Sequence, residues 1–176
     1  MSLTVTRADT ADAAELAAVA AATFPLACPP AVTESDIAGF VAAVLSEERF
    51  TEYLRAPERT VLKAVDADGM VGYSMLVAGP PEDAAVRAAV TLLPTVEISK
   101  LYVLPDRHGG DVAHRLMETA LDHARTAGAT GVWLGVSQEN LRARRFYAKS
   151  GFQQVGTKRF RVGSELCHDF VLERPL

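Results

Sequence analysis

The sequence predicts an α/β fold: a mixed central sheet of about seven strands with helices on both faces. Short β-branched or apolar runs recur along the chain, and stretches with apolar residues at helical spacing stand between them. One strand–helix–strand unit, from Thr95 to Val136, ends in a run apolar enough to be buried on both sides, as in a parallel crossover. At 176 residues the chain suits one compact domain, so residues 1–176 are read as a single unit.

Leu3 to Arg7 alternates and is β-branched, which predicts a first strand, with Asp9 or Thr10 as the cap of the helix that follows. Ala13, Leu16, Ala17, Ala20 and Phe24 form one apolar stripe, and Pro25, Pro29 and Pro30 are expected to end it. Thr33-Glu-Ser-Asp36 has the form of a helix start ahead of Ile37, Phe40, Val41, Val44 and Leu45, and this helix is expected to continue, with a break, to Leu54. Thr60–Val65 and Met70–Val77 read as a hairpin around Asp66-Ala-Asp-Gly69. Gly79 to Ala89 lacks periodicity and is expected to be a surface loop, long enough to act as a lid. Thr95 to Leu104 is the longest strand signal and is closed by Pro105. Ala113, Leu116, Met117, Ala120, Leu121 and Ala124 then repeat with helical period, and Gly131–Val136 is the doubly buried run. A short helix from Leu141 to Lys149 stops at Gly151, and Phe152–Arg161 with Leu166–Leu172 closes the chain as a hairpin.

A net charge of −4 argues against nucleic-acid binding, which needs a basic face to neutralise phosphates. Neither the histidines (His108, His114, His123, His168) nor the cysteines (Cys28, Cys167) show metal-ligand spacing, so no metal site is expected. No uncharged apolar run reaches the length of a membrane span, and Asp9, Asp12 and Glu15 stand where a secretion signal needs basic residues. A cytoplasmic setting follows as the expectation.

The segment from Leu101 to Ala113 places Gly109 and Gly110 between a buried strand and the first turn of an amphipathic helix. Unpaired N–H groups and the helix dipole make such a turn attractive to phosphate oxygens, and glycine allows the close approach. The phosphate-loop pattern with its lysine and the dinucleotide GxGxxG are both absent. One strand later comes Asn140-Leu-Arg-Ala-Arg-Arg-Phe-Tyr-Ala-Lys-Ser-Gly-Phe152.

Together the two segments resemble the acetyl-CoA-binding core of the GNAT (Gcn5-related) N-acetyltransferases. His108-Gly-Gly-Asp-Val-Ala113 is similar to that family's (Q/R)-x-x-G-x-(G/A) motif, and Asn140, Ala143, Phe146, Tyr147, Gly151 and Phe152 to its N-x-x-A-x-x-(F/L)-Y-x-x-x-G-F motif. Glu97–Val103, Trp133–Val136 and the tail from Gly156 to Gly163 look most similar to the bacterial polyamine (spermidine/spermine-type) branch. The resemblance implies a mostly antiparallel sheet whose single parallel pair splays, with pantetheine in the opening against the main chain of Leu101, Tyr102 and Val103. It implies a diphosphate held by the N–H groups of Gly109, Gly110, Asp111, Val112 and Ala113, with positive charge from Arg107 beside His108. Asn140, Arg142 and Lys149 fall on the cofactor side as well, and Arg142, Arg144, Arg145 and Lys149 are within reach of a 3′-phosphate.

Under the same resemblance Tyr147 is the proton donor to the departing thiolate, and the substrate is a primary amine that attacks directly in a ternary complex. A lysine-like amine has a pKa of about 10.4, so only on the order of one molecule in a thousand is neutral at pH 7. Glu97 is the candidate base, and the Leu101 N–H the candidate oxyanion donor. Two departures stand out: Asp111 occupies a position where the motif usually has glycine, and His108 replaces the commoner Gln or Arg. The acidic residues Glu34, Asp36, Glu47, Glu48 and Glu52 lie on the helices that wall the acceptor in this family and could attract a cationic amine, polyamine included. Homodimers are common in the family, though no residue here specifies one. The alternatives left open are a non-catalytic acyl-CoA-binding module and an enzyme acting on protein or peptide amines.

Overall fold

In the computed structural model, which describes residues 2–176, the extended runs become strands β1 (Thr4–Arg7), β2 (Arg59–Asp66), β3 (Gly69–Ala78), β4 (Thr95–Val103), β5 (Gly131–Ser137), β6 (Gln153–Val162) and β7 (Glu165–Pro175). They form one seven-stranded sheet in the order β1-β2-β3-β4-β5-β7-β6. Every neighbouring pair is antiparallel except β4 with β5. The helices are α1 (Ala13–Ala27), α2 (Glu34–Val44), α3 (Glu47–Arg55), α4 (Ala84–Ala89), α5 (Val112–Thr126) and α6 (Leu141–Lys149).

Each face of the sheet has its own core. On one face Leu116, Met117, Ala120 and Leu121 of α5 pack on Val96, Ile98, Val132 and Leu134. On the other, Leu16, Ala20 and Phe24 of α1 and Phe50 of α3 pack on Val61, Tyr73 and Met75. Leu16, Phe50 and Leu116 are wholly buried, each such side chain contributing about 1.5–3 kcal/mol of hydrophobic stabilisation.

Local signals account for the ends of the helices. Asp9 Oδ1 accepts from the Ala11 N–H at 2.9 Å, in a short 3-10 turn that leads into α1. Thr33 Oγ1 accepts from the Asp36 N–H at 3.1 Å at the start of α2. Asn140 Oδ1 accepts from the Ala143 N–H at 3.2 Å at the start of α6, and Gly151, with φ of +90°, ends that helix. Asp36 also accepts from the backbone N–H and the hydroxyl of Ser164, both at 3.3 Å, tying α2 to the tip of the β6–β7 hairpin.

The structure departs from the sequence expectation in three places. Pro25 lies in the last turn of α1 rather than ending it: a proline so near the C-terminus removes one bond, and the Cys28 N–H still closes the turn on the Pro25 carbonyl at 3.3 Å. The segment after Leu45 is a separate helix, α3, because Ser46 Oγ accepts from the Arg49 N–H at 3.2 Å and starts a new first turn. Gly79 to Ala89 is not wholly a loop. Asp83 caps α4 through the N–H groups of Ala85 and Val86, at 2.8 and 3.2 Å, and Val86 is fully buried against Trp133 and Val171. That anchoring does not suit a lid. Six helical residues are too few to show a period.

The chain between α4 and β4 is held to β7 by Glu173. Its carboxylate, 4% exposed, accepts from the Thr91 N–H and Leu92 N–H at 2.9 Å and from the Thr91 hydroxyl at 2.8 Å. Glu173→Ala leaves these donors unpaired, and we expect the free energy of unfolding, measured by urea titration, to fall by about 3 kcal/mol.

Candidate active site

Strand β4 enters the sheet paired on both sides and leaves it paired on one. Parallel pairing with β5 is limited to Thr95, Val96 and Glu97 opposite Gly131, Val132 and Trp133, whereas pairing with β3 continues to Val103. Between Ile98 (opposite Leu76) and Lys100 (opposite Met75) there is one residue too many, Ser99, a β-bulge that bends the strand away from β5. The edge of β4 from Ile98 to Val103 that faces β5 has no strand partner. Into this opening runs a cleft of about 420 Å³, lined from β4 and β5, the turn before α5, the inner face of α6, the end of α1, and β6 and β7.

The bulge also exchanges the faces of β4. Val96 and Ile98 pack toward α5 before it, and Leu101 and Val103 do so after it. Glu97, Lys100 and Tyr102 therefore share the opposite face, and all three line the cleft.

One end of the cleft is a cradle of unpaired amides. Gly109, with φ of +82°, turns the chain in the left-handed region that other residues avoid. Around it the N–H groups of Gly109, Asp111, Val112, Ala113 and His114 donate to no acceptor among the described residues, whereas that of Gly110 reaches the Arg107 carbonyl at 3.4 Å. His108 closes the cradle: Nε2 donates to the Val103 carbonyl at 2.8 Å, and Nδ1 meets the guanidinium of Arg142.

The expected binding residues do not all converge. Leu101, Tyr102, Val103, Arg107, His108, Gly109, Gly110, Ala113, Asn140 and Arg142 line the cleft, whereas Asp111, Val112 and Lys149 do not. The Arg107 guanidinium does not serve the cradle as a free charge. It is bound by Asp66, Asp106 and Asp68 at 2.9, 2.8 and 2.5 Å, locking the β2–β3 turn, and the Arg107 bond together with the Asp68 N–H holds the Asp66 carboxyl below its ordinary value. Val112, the first residue of α5, buries its side chain in the core, so only its amide is available, and Asp111 is exposed with no capping hydrogen bond from its side chain. Lys149 is exposed at the far end of α6, away from the face of Asn140, Ala143 and Tyr147 that meets the cleft.

Beyond the splay the cleft holds the groups able to move protons. Tyr147 packs edge-on to Phe146 and Phe152, its hydroxyl has no hydrogen-bond partner among the described residues, and burial pushes its pKa up to about 12. Burial likewise raises the Glu97 carboxyl, against the opposing pull of Lys158, Lys100 and Arg59. Lys100 is drawn down to about 8 by burial, its ammonium forming no ion pair among the described residues. Lys158 lies across Gly135, where an added Cβ would fall 2.5 Å from its Cε, and meets Asp169 at 3.7 Å. Both cysteines line this half of the cleft. The Cys28 thiol is raised to about 11 by burial and is protonated at neutral pH, a poor state for a nucleophile.

Sequence reasoning missed Lys100, Lys158 and Asp169. A β-bulge leaves no mark in an apolar alternation, and Gly135 was the only sign that a side chain passes close over β5. Of the acidic residues on α2 and α3, Glu34, Glu47, Glu48 and Glu52 are exposed, Asp36 is engaged with Ser164, and none lines the cleft. No cluster of His, Cys, Asp and Glu among the described residues is arranged to hold a metal ion, and no helix there is long and apolar enough to cross a membrane.

The profile of the Acetyltransferase (GNAT) family matches residues 29–152. Uncharacterized N-acetyltransferases of Mycobacterium tuberculosis and Mycobacterium bovis are 51% identical to the chain over 165 residues, covering 94% of it and 98% of each relative. Among solved structures, the PaiA N-acetyltransferase of Thermoplasma acidophilum in complex with coenzyme A superposes with a TM-score of 0.79 at 18% identity, over 100% of both chains. A GCN5-related N-acetyltransferase from Rhodopseudomonas palustris gives 0.76 at 21% identity, over 100% of this chain and 97% of that one. The match to the family profile over most of the chain, with relatives 51% identical along nearly all of it, shows that this protein belongs to the GNAT family of acetyltransferases.

Proposed function

We propose that the protein transfers the acetyl group of acetyl-CoA to a primary amine of a small molecule by direct attack in a ternary complex. The observation that carries this reading is the opening between β4 and β5 with unpaired amides at its mouth, from Gly109 to His114. These donors fit a diphosphate without needing a side-chain cation, and the unpartnered edge of β4 from Leu101 to Val103 fits an amide-bearing pantetheine arm. Arg142, exposed beside His108, is the nearest candidate for a terminal phosphate. Acetyl-CoA would supply an acyl carbon activated as a thioester, whose C–S bond breaks as the amine nitrogen bonds to it.

The chain's own residues handle the protons. Glu97 accepts one from the amine, a task helped by burial, which makes its carboxylate a stronger base. Tyr147 holds a proton on its hydroxyl at every physiological pH and releases it to the departing sulfur. Leu101, beside the bulge, is the candidate for main-chain stabilisation of developing negative charge. The protonated Cys28 agrees with direct attack and no acyl-enzyme, and two free cysteines suit a reducing, cytoplasmic compartment. A polyamine is the acceptor that the resemblance implies, and spermidine and spermine therefore belong in the acceptor panel.

Free-thiol release from acetyl-CoA across amines, polyamines, aminoglycosides and peptide N-termini tests the reading. Tight coenzyme A binding with no release for any acceptor would instead mark a binding module. Tyr147→Phe is expected to lower kcat by about a hundredfold with little change in KM, in steady-state assays. The Glu97 carboxylate must be ionised to accept a proton, so the rate should fall as pH drops through a value above the ordinary carboxylate range. Glu97→Gln should remove that acidic limb from the pH–rate profile, and an unaltered limb would assign the base elsewhere.

A further inference from the structure

Four charged side chains line the acceptor half of the cleft: Glu97, Lys100, Lys158 and Asp169. Lys158 and Asp169 hold each other at 3.7 Å, and Lys158 also lies 5.3 Å from the Phe160 ring centroid. Neither the Glu97 carboxylate nor the Lys100 ammonium makes a hydrogen bond or ion pair within 4.0 Å among the described residues. They are successive residues on one face of β4, brought together by the bulge at Ser99, at the point where β5 departs. A half-buried cation without a partner is most readily compensated by an anion that arrives with the ligand.

Facing this pair is an apolar wall of three rings. Phe24 stacks on Phe40 with centroids 4.5 Å apart, and Phe160 meets Phe40 edge-on at 5.5 Å. A polycation would match Glu97, but its further ammonium groups would meet Lys100, a ring already occupied by Lys158, and no free carboxylate. A molecule carrying one amine and one carboxylate leaves no charge unmatched.

Resting on the acetyltransfer reading, we propose that the acceptor is an amino-acid-like zwitterion: its primary amine is directed to Glu97, its carboxylate is bound by Lys100, and its apolar or aromatic side chain packs on Phe24, Phe40 and Phe160. The amine nitrogen forms the new bond to the acyl carbon as the C–S bond breaks. Glu97 takes the amine's proton and Tyr147 gives one to the sulfur, so the products are an N-acetyl amino acid and free thiol. Lys100 is the residue that specifies the carboxylate.

The test compares phenylalanine, leucine and methionine, each with its own decarboxylated amine, and adds spermidine. Thiol release gives kcat/KM, and calorimetry on the protein without coenzyme gives amino-acid affinity. At least one amino acid should exceed its amine by about tenfold or more in kcat/KM. Lys100→Met should remove that advantage by lowering kcat/KM for the amino acid about tenfold more than for its amine, weaken amino-acid affinity to a similar degree, and be largely rescued in Lys100→Arg. Preference for spermidine or for the decarboxylated amines throughout, or an equal loss for both members of a pair in Lys100→Met, overturns the inference and leaves acetyl transfer standing. Absence of thiol release with every acceptor overturns the acetyltransfer reading, and this inference with it.

Discussion

A strand in the middle of a sheet needs hydrogen-bonding partners on both edges, and β4 gives one of them up. From Ile98 onward it keeps β3 and abandons β5, with Ser99 bulged out at the point of divergence. Exposed backbone groups in a sheet interior are unfavourable unless water or a ligand satisfies them. The rest of the molecule is arranged around that opening. α5 and α6 pack on one side of it, α1 brings Phe24 to the other, and β7, with β6 beyond it, pairs along the far edge of β5.

Burial in the cleft acts on Glu97 and Tyr147 in the same direction and suits both of the roles proposed for them. Burial raises the Glu97 carboxyl, which makes it a better proton acceptor, and raises the Tyr147 phenol to about 12, which keeps the proton in place until a strong base forms nearby. The lysines act in the opposite sense on Glu97: Lys158, Lys100 and Arg59 all favour its ionised form, and without them desolvation alone would push the carboxyl still higher. Asp169 engages Lys158, and Gly135 leaves the space through which that side chain reaches it, so a glycine on β5 helps set the electrostatics of a glutamate on β4.

Most of the fold was legible because burial on a known face dictates sequence. The α5 stripe from Ala113 to Ala124, the doubly buried β5 and the helix from Leu141 to Lys149 stopping at Gly151 all correspond to elements in the structure, and the Gly109 turn has the left-handed backbone for which glycine is suited. Elements too short to show a period, such as α4, were not legible; α3 was expected only as a broken continuation of α2, because its separate cap, Ser46, is a weak local signal. In the candidate site, residue type was readable but destination was not. Arg107 stands next to the glycines in sequence, yet its guanidinium turns to three carboxylates, two of them across a hairpin turn distant in the chain. Lys100 would have belonged to the α5 face under strict alternation, and a single extra residue reversed it.

The engagement of Arg107 bears on how the anion cradle gets its affinity. With that cation engaged at the β2–β3 turn and Lys149 elsewhere, the proposed hold on a diphosphate rests on backbone N–H groups that keep their direction because α5 is anchored by buried Val112 and Leu116. Fixed dipoles of this kind need little reorganisation when a ligand binds, and they are less exposed to screening by salt than mobile surface charges are. Asp111 is tolerable on the same grounds. A carboxylate at the first turn of a helix interacts favourably with the dipole, and since its side chain is exposed and forms no cap, it is free to point into water while its amide stays in the cradle. The substitution of aspartate for the motif's usual glycine thus leaves the donor set intact, because the cradle is made of main chain.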